Sequence, residues 1–130
     1  MLILSIRTDK PEAELALFEG TTQLATKIWQ AHRQLAETIH VEIEELLKAN
    51  GKTLYDVNAI ACFAGPGSFT GLRIGLTVAN ALAYGLNVPI VATGGEEWNT
   101  EAIKQLQNGK DQRIAMPDYG APVHITAPKR

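Results

Sequence analysis

The chain has 130 residues, 45% of them hydrophobic and 20% charged, with a formal net charge of −2 and a sequence pI near 5.9. This composition suits one globular domain around a single core and excludes a disordered or polycationic chain. Lys and Arg are scattered apart from Lys129-Arg130, so strong direct binding to nucleic acid is not expected, and nothing reaches the ~18 apolar residues of a membrane span.

The first apolar run, Leu2–Ile6, suits a buried strand, and Arg7-Thr8-Asp9-Lys10-Pro11 has the chemistry of a turn. Glu12–Phe18 reads as a second strand. After the turn Glu19–Thr22, Gln23–Trp29 alternates polar and apolar side chains as a half-buried strand does. Three strands joined by short turns predict an antiparallel meander. A helix is predicted over 33–49, because Leu35, Ile39, Ile43, Leu46 and Leu47 share one face and Asn50-Gly51 stops it. A fourth strand is predicted over 57–64, a helix over 69–86, a fifth strand over 88–92 and a short helix over 97–108. Crossing through a helix makes the fourth and fifth strands parallel.

The resulting order βββαβαβ is that of an α/β, ribonuclease H-like domain of the actin and heat-shock chaperone type, with a five-stranded mixed sheet and helices on its faces. The domain is expected over 1–110, with a proline-containing tail over 111–130. The lone Cys62, set in the apolar run Ala59–Ala64, forms no disulfide within the chain and is expected to be a small buried side chain. With no recognisable leader, a cytoplasmic protein is expected.

The segment Gly65-Pro66-Gly67-Ser68-Phe69-Thr70-Gly71-Leu72-Arg73-Ile74-Gly75 joins the fourth strand to the second helix. It has no lysine before Ser68, so it is not a Walker loop, and it misses G-x-G-x-x-G by one residue. Pro66 stands where a nucleophile elbow needs glycine, so Ser68 or Thr70 is expected to cap the helix instead. His32 and His40 are eight residues apart, two turns rather than the one turn of a chelating pair. Asp9 is expected to be a solvated turn residue. No catalytic, cofactor or metal site is therefore predicted.

The second helix carries its own signal. Gly71, Gly75, Ala79 and Ala83 recur every four residues, each glycine costing ~0.8–1 kcal/mol relative to alanine in a helix. Arg73, Thr77, Asn80 and Tyr84 form a narrow polar stripe, and most of the remaining surface is apolar. Either another element of the chain covers that surface or a partner does.

These residues resemble one family. The run GPGSFTGLRIG, with Ala79–Val91, Leu2–Ile6, His32 before the helix 33–49, and Asp56–Ile60, is similar over residues 1 to about 98 to the bacterial threonylcarbamoyladenosine biosynthesis proteins TsaB, also called YeaZ. The resemblance implies a non-catalytic subunit, like the transferase TsaD in fold but without its metal-binding histidines. Such a subunit dimerises with TsaD and supports threonylcarbamoyl transfer to the tRNA adenosine beside the anticodon. ATP is then left to the partner complex, tRNA is met only through it, and the isolated chain is expected to homodimerise.

The family's interface uses its first two helices, here 33–49 and 69–86. The expected contacts are Leu35, Ile39, Gly71, Leu72, Arg73, Gly75, Leu76, Ala79 and Ala83. Gly75→Leu is expected to abolish assembly and leave the monomer folded. The chain departs from the family at Arg7-Thr8-Asp9, where Asp-Thr-Ser is usual, and at Gly94-Gly95, where serines are common. The family's second lobe is expected to be missing, with Tyr119–Ile125 resembling its C-terminal tail. A nucleotide-binding or glycoprotease-like hydrolase, and a self-associating module without TsaD, are the alternatives.

Overall fold

The computed structural model describes residues 1–67 and 69–118. Strands β1 (Leu2–Arg7), β2 (Glu12–Glu19) and β3 (Thr22–Gln30) form the antiparallel meander. Helix α1 (Leu35–Ala49) crosses to β4 (Ala59–Gly65), which lies parallel to β1. Helix α2 (Phe69–Leu86) crosses to β5 (Ile90–Gly94), parallel to β4, and α3 (Trp98–Gln107) follows. The sheet order β3-β2-β1-β4-β5 is the ribonuclease H-like arrangement expected of this element order.

Period-2 alternation divides the apolar side chains between two faces. Leu2, Leu4, Ile6, Leu15, Leu17 and Ile60 meet α1 and α2, while Ile3, Ala16, Ala61 and Val91 meet Ala102, Ile103 and Leu106 of α3. Every residue of β4 is buried, as its uninterrupted apolar run requires of a central parallel strand. Leu4 and Ile39 have no exposed surface, so truncating either to alanine costs about 2–5 kcal/mol.

Element boundaries shift for local reasons. His32 adopts φ +48° and His32–Gln34 forms a 3-10 turn, so α1 starts at Leu35 rather than at 33. Thr53 and Asp56 close a reciprocal cap on a second 3-10 turn, Leu54–Asp56, which delays β4 to Ala59. Asn87 at φ +57° ends the α2 connection and delays β5 to Ile90.

The two sheet edges are treated differently. On β5, the Ile90 amide donates to Asp111 Oδ1 and its carbonyl accepts from the Gln112 amide, at 3.2 and 2.9 Å. The Gln112 side chain accepts from the Ala92 amide and donates to the Ala92 carbonyl, at 3.0 and 3.1 Å. This edge is closed by the chain itself. Among the described residues the β3 edge is open, but it carries a register irregularity opposite Leu17/Phe18 and a central Lys27 paired with Glu42 of α1 at 2.9 Å, both features that discourage edge-to-edge association.

Residues 111–118 adopt neither helix nor strand and run as a strap from β5 across α2 to the end of β4. The Asn80 side chain donates to the Ala115 carbonyl and accepts from its amide, at 3.0 and 2.8 Å. Ala115 is buried, and the Asp118 amide donates to the Ala64 carbonyl at 2.6 Å. The first eight residues of the expected tail therefore lie on the domain; the segment Tyr119–Ile125 falls outside the described residues.

Candidate partner interface and the glycine-rich turn

The turn after β4 is shaped by close approach. Gly65 adopts φ +115°, and a Cβ there would collide with the Asp118 carbonyl of the strap. Gly67 lies against the Asp9 side chain, 2.6 Å from where a Cβ would sit. The capping role expected of Ser68 falls outside the described residues; Thr70 lies within the first turn of α2.

Gly75 explains the stripe of small residues. A Cβ on Gly75 would overlap the hydroxyl of Thr8, a buried residue of the β1–β2 turn. That hydroxyl donates to the Gly71 carbonyl at 2.7 Å. Ala79 and Ala83 continue the contact with the core beneath. The close partner of the stripe is thus the end of β1 in the same chain.

The same packing places most of the expected contact residues inside the chain. Leu35, Ile39, Leu72, Leu76, Ala79 and Ala83 are all buried within the chain, at 0–5% exposure. Gly75 is buried and Gly71 half-buried; only Arg73 of the nine is exposed. The apolar periodicity marked the face that α1 and α2 turn towards their own sheet.

What the two helices present outward is a different surface. Thr70, Arg73, Thr77, Ala81 and Tyr84 of α2 are exposed at helical spacing, Tyr84 at 91%. On α1, Val41 is half exposed between His40 and Glu44. Between the helices, near their C-terminal ends, lies a mainly apolar groove of about 640 Å³ lined by Leu47, Leu54, Tyr55, Ala81 and Leu82, with Lys48 and Lys52 also along it. Tyr55 stands 90% exposed beside it. Tyr84 was visible in the sequence only as part of the polar stripe, and Tyr55 only as a loop residue. Two aromatic rings left in water, Tyr55 on the groove and Tyr84 on the outward stripe of α2, are the signal.

The β1–β2 turn, where a nucleotide-binding hairpin would lie, is occupied by its own side chains. Arg7 donates to both carboxylate oxygens of Asp9, Nε to Oδ1 at 2.7 Å and Nη2 to Oδ2 at 3.2 Å. Its guanidinium also lies 4.0 Å from the Phe63 ring centroid, and Phe63 meets Trp98 edge to face at 5.6 Å. Hydrogen bonding to Asp9 raises the Arg7 pKa against the opposing effect of burial. Asp9 is 9% exposed; it is a paired, buried residue, not the solvated one expected. Burial pushes the Cys62 thiol up to about 12, so it is a buried filler with almost no thiolate at neutral pH. Among the described residues no three His, Cys, Asp or Glu side chains converge on a metal position, and no helix is long and apolar enough to cross a membrane.

The class of protein is thus set by the sheet order and the crossover helices: an α/β domain of the ribonuclease H-like fold. A RuvC structure from Thermus thermophilus in complex with a Holliday junction substrate shares that fold, with TM-score 0.55 and 15% identity over 95% of this chain and 85% of its own. The sequence profile described as "TsaD: tRNA N6-adenosine threonylcarbamoyltransferase" matches residues 29–111, and the chain belongs to that family, on its TsaB/YeaZ side. It is 36% identical over 97 residues to the tRNA threonylcarbamoyladenosine biosynthesis protein TsaB of Escherichia coli, a match covering 70% of this chain and 39% of that protein. YeaZ from Pseudomonas aeruginosa superposes with TM-score 0.66 at 31% identity, covering 72% of this chain and 43% of its own. The chain thus spans about two fifths of the length of these two relatives.

Proposed function

We propose that the chain is a non-catalytic subunit of tRNA threonylcarbamoyladenosine modification that binds a TsaD-type transferase through the outward surface of α1 and α2. The observation that carries this reading is the exposed ring of Tyr55 on the apolar groove between the two helices, with exposed Tyr84 on the outward stripe of α2. Aromatic side chains beside a desolvatable groove are the usual anchors of a protein interface. Arg73, on the same side of α2, belongs to this surface; the six buried residues support it from below.

A non-catalytic role is supported by the β1–β2 turn, where Arg7 already engages both oxygens of Asp9. A net charge of −2 favours tRNA contact through the complex rather than through this chain. In this reading the chain works in the cytoplasm, and nucleotide chemistry belongs to the partner.

The test is calorimetric titration of the same organism's TsaD-type transferase into the chain, with wild type and Ala81→Arg. Binding by wild type and its loss in the variant is the expected outcome. Failure of the wild type to bind removes the reading, and appreciable heat on titrating ATP and Mg²⁺ into the chain alone would favour a nucleotide enzyme instead. A homodimer that persists when the transferase is added would favour the self-associating module.

A further inference from the structure

Helix α2 is flanked on both sides. One flank faces α1 across the groove at Ala81 and Leu82; the other faces the strap, across a second groove of about 500 Å³ lined by Arg73, Thr77, Asn80, Ile114 and Met116. On that second flank the strap holds two large apolar side chains in water, Ile114 at 68% and Met116 at 70% exposure. They are not a loose end. Between them Ala115 is buried, with its amide and carbonyl both engaged by the Asn80 side chain. With Ala115 turned inward, its two neighbours Ile114 and Met116 are both left facing solvent.

We infer that the strap is a third element of the partner surface, in which Ile114 and Met116 receive apolar side chains of the TsaD-type transferase on the flank of α2 opposite α1. This rests on the reading above and extends it by naming a second contact zone. Two observations support the assignment. The second groove shares Arg73 and Thr77 with the outward stripe of α2 that ends at Tyr84, so the two zones are continuous. The strap is fastened at Asn80 and at both ends, through Asp111 and Gln112 on β5 and Asp118 on β4, so little ordering remains to be done when a partner binds. A partner on this surface would straddle α2 as a ridge between two grooves.

The test is the same titration with Ile114→Ser/Met116→Ser, with Ala81→Arg on the α1–α2 groove run beside it. Both sites are exposed, so the double variant is expected to melt like wild type. Burying two such side chains predicts a loss of affinity of roughly tenfold or more, while Ala81→Arg weakens binding from the other zone. Asn80→Ala, which unfastens the strap without touching its apolar side chains, is expected to lower affinity in the same direction. If the double variant binds as tightly as wild type while Ala81→Arg does not, the strap is not part of the interface and the α1–α2 reading stands. If neither substitution matters, both fall.

Discussion

Replacing Gly75 by alanine is expected to weaken the fold itself rather than an interface. The added methyl would occupy the space of the Thr8 hydroxyl, which must then move. Overpacking of this kind costs about 1–3 kcal/mol. Displacing the hydroxyl from the Gly71 carbonyl, now 2.7 Å away, adds about 0.5–1.5 kcal/mol. The gain in helix propensity returns roughly 1 kcal/mol, leaving a net loss of about 0.5–3.5 kcal/mol. For 130 residues, an unfolding entropy of about 2.1 cal/mol/K per residue gives ~0.27 kcal/mol/K. A mid-range loss of ~2 kcal/mol then lowers Tm by roughly 7 °C. Thermal unfolding followed by circular dichroism measures this directly, and Thr8→Ala in the Gly75→Ala background should recover part of the loss. A Gly75→Ala protein that melts at or above the wild-type temperature would refute the reasoning, because the helix would then have room where Thr8 is placed. The expectation that Gly75→Leu leaves a folded monomer is reversed on the same grounds.

Three further outcomes follow from other contacts. Asn80→Ala removes both hydrogen bonds to Ala115, at about 0.5–1.5 kcal/mol each, so amide exchange at Ala115 should quicken by one to two orders of magnitude while exchange in β4 changes little. Arg7→Met leaves the Asp9 carboxylate in place without its bidentate partner; chemical denaturation should show a loss of about 1–3 kcal/mol that Asp9→Asn in the same chain partly recovers. The Cys62 pKa is raised from 9.0 to about 12, so the unfolded chain releases its thiol proton before the folded one does. Stability from this group is fully present below pH 9 and falls as pH rises towards 12; Cys62→Ala should flatten that part of the pH–stability curve, and the folded thiol should resist alkylation near pH 8.

The sheet could be read from the sequence because local chemistry and tertiary placement agree along it. Alternation in Gln23–Trp29, the unbroken apolar run through Cys62 and the Asn50-Gly51 stop each point to the element that forms. The surface of α2 could not be assigned the same way. Gly71, Gly75, Ala79 and Ala83 signal close packing, but nothing local says that the body against them is Thr8, more than sixty residues earlier. The apolar stripe therefore reads equally well as an interface, and the outward stripe ending at Tyr84 reads as ordinary solvated surface. The strap is hidden for a similar reason: its anchors are the side-chain amides of Asn80 and Gln112, which carry no periodicity. At the β1–β2 turn the sequence shows Arg7 and Asp9 two residues apart, while their pairing over Phe63 depends on β4 lying next to β1.

The most direct measurement is threonylcarbamoyl transfer to tRNA by the same organism's TsaD-type transferase, assayed with and without this chain. The account predicts no modified adenosine from the chain alone, a clear increase when chain and transferase are combined, and loss of that increase with Tyr84→Asp. Modification by the chain without the transferase, or an increase that Tyr84→Asp leaves untouched, would contradict it.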